Sequence, residues 1–272
     1  MSGQQPVVSA LRVKPGDHAR LSGRDPADRL DVRDKTDAAA RLAGLVARLG
    51  VLHNRLWAES QRSVLLILQG MDASGKDGTI RSVLAGISPQ GCRVVAFKEP
   101  TTTELAHDYL WRVHAACPDR GDLGIFNRSH YEDVVAVRVR QLVSEDVWRP
   151  RYDQICAFER MLVEEGTTIV KVFLHVSPDE QRKRLQERLD DPDKRWKFRA
   201  ADLDDRRLWP EYVAAYEDAI TATSTSWAPW HVIPADHKWV RNVAIAELLV
   251  DTFERLDPRL PDGGAELDGL RI

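Results

Sequence analysis

Two glycines five residues apart, with a lysine directly after the second, stand in "LLILQGMDASGKDGTI", residues 65–80. Gly70 and Gly75 carry no Cβ, so the backbone N–H groups of Ala73, Ser74 and their neighbours can converge on phosphate oxygens. Lys76 adds a mobile cation, and a helix opening there adds the partial positive charge of its N-terminus. The chemistry is phosphate binding. The pattern G-x-x-x-x-G-K-[ST] places a metal-binding hydroxyl after the lysine, however; this chain places Asp77 there, with a further carboxylate, Asp72, inside the loop. A carboxylate beside phosphate is repulsive unless a divalent cation stands between them, and Mg²⁺ takes one or two carboxylates together with phosphate oxygens and water. Asp72 is the expected metal ligand and Asp77 the alternative, although Asp77 also suits a first helical turn, where the macrodipole favours acids.

"LGIFNRSHYEDV" (123–134) ends an apolar run in polar residues, where enzymes with such a loop carry a metal-directing aspartate. Asn127 stands there instead, able to orient a water but uncharged. Arg128 can clamp phosphate through two parallel hydrogen bonds. Glu132 and Asp133 can add carboxylates to the site, Glu132 to the metal among them, or serve as the acids of a helix start. His130 is read as structural. Lys98, in "FKEPTTTELAHDYLWR" (97–112), follows another apolar run, where ligands bind in open α/β sheets; the bland alternative is a solvated charge. "EQRKRLQERLDDPDKRWKFR" (180–199) crowds Arg182, Lys183, Arg184, Arg188, Lys194, Arg195, Lys197 and Arg199 together in a chain that is acidic overall. Arg182, Arg184 and Arg188 are expected to share much of one helix face. A mobile basic arm of this kind neutralises phosphate charge and excludes water. In "APWHVIPADHKWVRN" (228–242), Asp236 reads as the N-cap of the last helix. Lys238 lies in its first turn, where a cation is unfavourable without an anionic ligand.

These residues need a scaffold. Apolar runs at 64–68, 93–97, 123–126, 168–176 and 230–233 read as buried strands, and helical spacing appears at 37–60, 76–86, 103–116, 131–141, 151–165, 178–190 and 237–256. Alternating strands and helices predict an α/β fold with a parallel sheet and helices on both faces. Residues 178–215 are highly charged and strandless, and read as helical material projecting from the sheet. Residues 1–36 read as an arm, 37–260 as one domain and 261–272 as a tail. The chain has 272 residues, 43% hydrophobic and 30% charged, as ordinary soluble proteins do, and its formal net charge of −3 argues against a general nucleic-acid binder. Three scattered cysteines (Cys92, Cys117, Cys156) suit neither a disulfide framework nor a zinc site and point to a reducing cytoplasm. There is no signal-peptide pattern, and Val64–Leu68, the longest apolar run, is too short to cross a membrane.

Taken together, "LLILQGMDASGKDGTIRSVLAGISPQGC", "FKEPTTTELAHDYLWR", "RGDLGIFNRSHYEDVVAVRV", "DDPDKRWKF", "AYEDAI" and "APWHVIPADHKW" strongly resemble polyphosphate kinase family 2, over roughly residues 10 to 257. The resemblance implies a three-layer P-loop kinase fold similar to thymidylate kinase, with a helical lid at about 178–215. It implies phosphoryl transfer between inorganic polyphosphate and a nucleoside mono- or diphosphate (AMP, ADP, with GMP and GDP as further candidates), supported by Mg²⁺ or Mn²⁺ in its place. By position it assigns function to Asp72, Lys76, Asn127, Arg128, Arg182, Arg188 and Lys194. Asn127 within "SHYEDV" looks like the branches accepting AMP, or both AMP and ADP. The family also implies a homodimer or homotetramer. Two alternatives remain: an ATP-dependent nucleoside monophosphate kinase, and a non-catalytic nucleotide-binding protein.

Overall fold

The computed structural model of the chain describes residues 7–198 and 201–263. Its strands are β1 (Ser63–Gly70), β2 (Cys92–Ala96), β3 (Leu123–Asn127), β4 (Thr167–His175) and β5 (Trp230–Pro234). They form one sheet in the order β2-β3-β1-β4-β5, every pairing parallel. The helices are α1 (Val7–Leu11), α2 (Lys35–Glu59), α3 (Lys76–Val83), α4 (Thr102–Leu105), α5 (Trp111–His114), α6 (Ala136–Val139) and α7 (Glu145–Trp148). After these come α8 (Arg151–Glu164), α9 (Pro178–Asp190), α10 (Ala201–Arg207), α11 (Trp209–Thr223) and α12 (Lys238–Leu256).

β1 is central and all eight of its residues are buried, as a continuous apolar run in a parallel sheet requires. Because every strand runs the same way, Gly70, Ala96, Asn127, His175 and Pro234 all end at one edge. Right-handed crossovers put helices on both faces. α12 packs against α2 and α3 on one, and α8 packs against α11 and β4 on the other. The N-terminal arm lies over the domain: Val13 N–H donates to Trp230 O at 2.8 Å along the free edge of β5, and Ala19 and Leu21 are fully buried. Covering that edge removes an open row of backbone donors and acceptors. Among the described residues, no helix is long and apolar enough to cross a membrane.

The five strands fall where the apolar runs place them, but two of the expected helices are broken. The 103–116 segment divides into α4 and α5 because the Asp108 carboxylate takes the Leu110 N–H at 3.0 Å, a local turn that competes with the helix. The 131–141 segment becomes a 3-10 turn at His130–Asp133 and then α6. Arg151 Nη1 takes the Asp133 carbonyl at 2.8 Å, which a continuous helix would give to residue 137. Nor is Asp236 the cap of the last helix. Its Oδ1 accepts from Ser177 N at 2.8 Å, tying the end of β5 to the start of α9, and α12 begins without a side-chain cap.

The apolar run of β4 conceals a charge. Lys171 has no solvent exposure and donates to Glu159 at 2.5 Å, to the Tyr131 hydroxyl at 3.0 Å and to Thr223 O at 2.7 Å. Tyr131 donates to the same carboxylate at 2.8 Å, and His130 Nε2 lies 3.3 Å from it, which confirms His130 as a structural residue. This network anchors the turn after β3 to α8 and β4. Lys171→Met would strand a buried carboxylate and should cost about 3–5 kcal/mol of unfolding free energy, while Lys171→Met with Glu159→Leu should regain a large part of the loss. Chemical denaturation of both variants measures the difference.

Candidate active site

The β1–α3 connection is a tight loop whose backbone turns left-handed at Gly70 (φ 147°), Ala73 (φ 60°) and Gly75 (φ 107°). Gly75 has a second constraint: a Cβ there would sit 1.8 Å from Arg241 Nη1. The side chain of Lys76 folds back over the loop, with Nζ 2.8 Å from Gly70 O and 3.3 Å from Met71 O. Only 8% of the residue is exposed. Burial, and then the nearby charge of Arg128, lower the Lys76 pKa to about 8.

Arg128 follows the end of β3 in a left-handed conformation (φ 63°), its N–H bonded to Leu68 O at 3.0 Å. Its guanidinium bonds to Asp72 and lies 3.4 Å from Glu132 Oε2. Glu132 foremost, and then Asp72, raise its pKa and hold it protonated. Beside it, Asn127 Nδ2 donates to Asp77 Oδ1 at 2.8 Å. The sheet edge thus gathers Asp72, Lys76, Asp77, Asn127, Arg128 and Glu132 into one alternating cluster of charge.

Other expected site residues lie elsewhere. Asp133 turns away from Glu132 toward Arg112 at 3.7 Å and Arg151 at 3.9 Å. Lys98 is exposed and lines a pocket of about 440 Å³ with Thr101, Glu104, Trp111 and Arg112. Lys238 lies 3.8 Å from Glu187 in a separate groove of about 650 Å³ between α2, α9 and α12. Arg182 is exposed and Arg188 half-buried, and neither has an ion pair among the described residues. Lys194 pairs with Asp191, and Arg199 lies outside the described residues. Arg182 and Arg184 do not share a face: two residues span about 200° of helix, and Arg184 turns inward at 5% exposure.

Arg184 and Arg241 hold the loop from behind; the sequence reading grouped Arg184 with Arg182 and Arg188 on one helix face and did not single out Arg241. Arg184 Nη1 donates to Ala73 O at 3.1 Å and Ser74 O at 2.9 Å, and Arg241 Nη1 reaches Ser74 O at 3.1 Å. For Arg241 a signal was present, a cation three residues after Lys238 among the apolar positions of the last helix. For Arg184 the surrounding run of charge hid it.

A lysine-bearing glycine loop at the carboxyl edge of a parallel sheet, faced by an arginine from the neighbouring strand, defines a phosphate-handling protein of P-loop kinase fold. Within that class the chain belongs to the polyphosphate kinase 2 (PPK2) family, which matches residues 32–261. It is 56% identical over 255 residues to the AMP/ADP-polyphosphate phosphotransferase of Meiothermus ruber, across 93% of this chain and 96% of that one. It is 47% identical over 229 residues to the ADP-polyphosphate phosphotransferase of Rhodopseudomonas palustris, across 80% and 79%. The fold matches the crystal structure of polyphosphate kinase 2 from Arthrobacter aurescens TC1 with a TM-score of 0.92 at 41% identity, covering 100% of this chain and 95% of that one.

The depressed Lys76 pKa makes a prediction. A bound phosphate favours the ammonium form and draws the pKa back up. Polyphosphate binding should therefore take up a proton at pH above about 8, where the free lysine is largely neutral, and none at Lys76 well below it. Calorimetry at pH 9 in buffers of different ionisation enthalpy measures the uptake, and Lys76→Met should abolish it.

Proposed function

We propose that this chain is a polyphosphate-dependent nucleotide kinase that moves a terminal phosphoryl group from inorganic polyphosphate to AMP or ADP. The carrying observation is the meeting of the Lys76 loop with Arg128 just after β3, which concentrates cations and carboxylates at one point of the sheet edge. The names of relatives at 56% and 47% identity support the donor and the acceptors. Lys76 and the loop amides bind the transferring phosphate. Arg128 leaves its carboxylate partners to meet charge developing on that phosphate. Cations on the charged segment, exposed Arg182 and Lys194 and half-buried Arg188, hold the chain of phosphates and act as a lid. The acceptor approaches from the side of β2 and β3, where Lys98 lines its pocket, so the protein's task is alignment and charge compensation rather than covalent chemistry.

Mg²⁺, with Mn²⁺ as a substitute, belongs at Asp72, with Asp77 and Glu132 within the same cluster. These are hard oxygen donors, and one or two of them suffice when phosphate and water complete the shell. Among the described residues no group of three or more His, Cys, Asp or Glu is arranged for a metal. When bound, it supplies charge neutralisation on the phosphate oxygens. GMP and GDP as further acceptors, and a homodimer or homotetramer, belong to the same reading. An aspartate after the loop lysine, in place of a hydroxyl, disfavours an ATP-dependent monophosphate kinase.

Purified protein with Mg²⁺, polyphosphate and AMP alone should yield ADP and then ATP, at a rate well above that with ATP as donor. Acceptance of ADP only would move the chain to the ADP-specific branch, and a preference for ATP as donor would overturn the reading.

Asp72 and Asp77 separate by mutation. Asp72→Asn removes the charge that recruits the cation and should lower turnover by two or more orders of magnitude, each tenfold being about 1.36 kcal/mol of barrier. Part of that loss should return with higher Mg²⁺ or with Mn²⁺. Asp77→Asn keeps an oxygen for Asn127 and should cost only the roughly 0.3–1 kcal/mol of a helix-dipole charge. The two variants assayed across one metal titration decide which carboxylate is the ligand.

A further inference from the structure

Three consecutive carbonyl groups of the phosphate loop are held from behind by buried side chains to which the proposed reaction gives no task. Gln181 Nε2 donates to Asp72 O at 3.1 Å, Arg184 Nη1 to Ala73 O and Ser74 O, and Arg241 Nη1 to Ser74 O. Their exposures are 1%, 5% and 2%. In a planar trans peptide the N–H of each residue points opposite to the preceding carbonyl. Holding Asp72 O and Ser74 O therefore aims the N–H groups of Ala73 and Gly75 away from α9 and α12. Ala73 also adopts a left-handed backbone (φ 60°), a conformation that a residue with a Cβ keeps only where its surroundings over-determine it. The guanidinium of Arg184 supplies that determination at the Ala73 carbonyl.

The same two α9 residues reach beyond the loop. Arg184 Nη2 donates to Ala235 O at 2.6 Å and to Asp236 O at 2.8 Å, so one guanidinium joins the phosphate loop to the turn after β5. Gln181 Oε1 accepts from Arg206 Nη1 of α10 at 2.9 Å, and Arg206 also donates to Pro178 O at 2.8 Å. A continuous line of hydrogen bonds runs from α10, inside the charged segment, through Gln181 to the backbone of Asp72. The root of α9 is thereby fastened to the phosphate loop.

We propose that Gln181 and Arg184 are positioning residues of the phosphoryl-transfer site, which set the phosphate loop in its binding conformation from the root of α9 and, through Arg206, couple it to the seating of α10. Neither residue touches substrate. Arg184 acts by direction as well as by charge: a lysine keeps the cation but cannot present the planar fork that meets four carbonyls. Gln181 acts as a joint, with its amide nitrogen on the loop and its amide oxygen on α10. The inference rests on the polyphosphate-kinase reading for the reaction it serves, but not for the coupling itself.

Gln181→Met (similar length, no donor or acceptor), Arg184→Lys and Arg206→Gln should be compared with the wild-type chain for kcat, for KM of polyphosphate and of nucleotide, for melting temperature, and for amide hydrogen exchange in segment 70–77. Gln181→Met and Arg184→Lys are expected to lower kcat by about tenfold or more while the nucleotide KM stays within about twofold, because a misdirected loop fails chiefly in the transition state. Loop amides should exchange about tenfold faster in both, with β1 and β4 unchanged. Arg206→Gln should reproduce part of the Gln181→Met effect on rate and exchange. Variants that lose melting temperature but keep kcat within about twofold and leave loop exchange unchanged would reduce both residues to structural support and overturn the proposal. A silent Arg206→Gln beside an impaired Gln181→Met would overturn the coupling to α10. If Arg184→Lys does not fold, Gln181→Met carries the decision, since it preserves the buried volume. Absence of polyphosphate-dependent transfer in the wild type would instead defeat the reaction reading, and the exchange data would still decide the positioning role.

Discussion

The carboxyl edge of the sheet depends on how the carboxylates of its phosphate loop are neutralised. Asp72 and Arg128 come from separate strand ends, yet their contact joins the β1 and β3 loops, and Asn127 joins the same two loops again through Asp77. A pair of unit charges near a protein surface attracts by about 4 kcal/mol at 4 Å before desolvation is set against it. A phosphate alone gains little here, because it would take Arg128 from Asp72 and leave that carboxylate repelling it. A phosphate that brings a divalent cation gives both partners a new neighbour of opposite charge. On the proposed reading, carboxylates within the phosphate loop would favour metal-loaded anions over bare ones, which would give an otherwise repulsive sequence its physical sense.

The cations of the site divide by burial into two kinds. Arg184 and Arg241 are almost wholly buried; Arg184 spends its donors on backbone carbonyls and Glu180, and Arg241 on the Ser74 carbonyl and the Asn242 side chain. Burial, and then the charge of Arg184, lower the pKa of Arg241 to about 9. They shape the loop and add positive potential behind it, where burial keeps solvent screening weak. Arg182 and Lys194 are exposed on the charged segment, where the proposed reading has them hold the phosphate chain. Lys76 stands between the kinds, buried but bonded only to loop carbonyls that a phosphate can replace.

Much of this arrangement was legible from periodicity. β1 and β4 appear as apolar runs, and α9 runs Pro178–Asp190, the limits that helical spacing and Ser177 before Pro178 suggest. The loop residues, Asn127 and Arg128 follow from strand-end logic alone. What was not legible depends on side chains reaching across the fold. Asp108 and Arg151 break two helices by taking backbone groups that local propensity assigns to the helix. Asp236 caps nothing in its own helix; its carboxylate accepts from Ser177 N across the fold instead. Lys171 hides in an apolar strand because its partner, Glu159, is twelve residues earlier on another element. Within the basic run, charge count could not separate Arg184 from Arg182, since only the orientation of α9 decides which faces the loop.

A uniform polyanion poses a further difficulty, for every internal phosphate presents the same charge as its neighbour. Exposed arginines can concentrate such a chain, and salt will weaken their hold, but they cannot tell one phosphate from the next. Register must come from the fixed part of the site. The loop is closed from behind by Gln181, Arg184 and Arg241, and Gly75 packs so near Arg241 that a Cβ would not fit. That side of the loop is filled by side chains, which leaves the opposite side, toward which the Ala73 and Gly75 N–H groups point, for a phosphate. The buried cations fix the shape of the loop, and a fixed loop is the part of the site able to hold one phosphate in a single register.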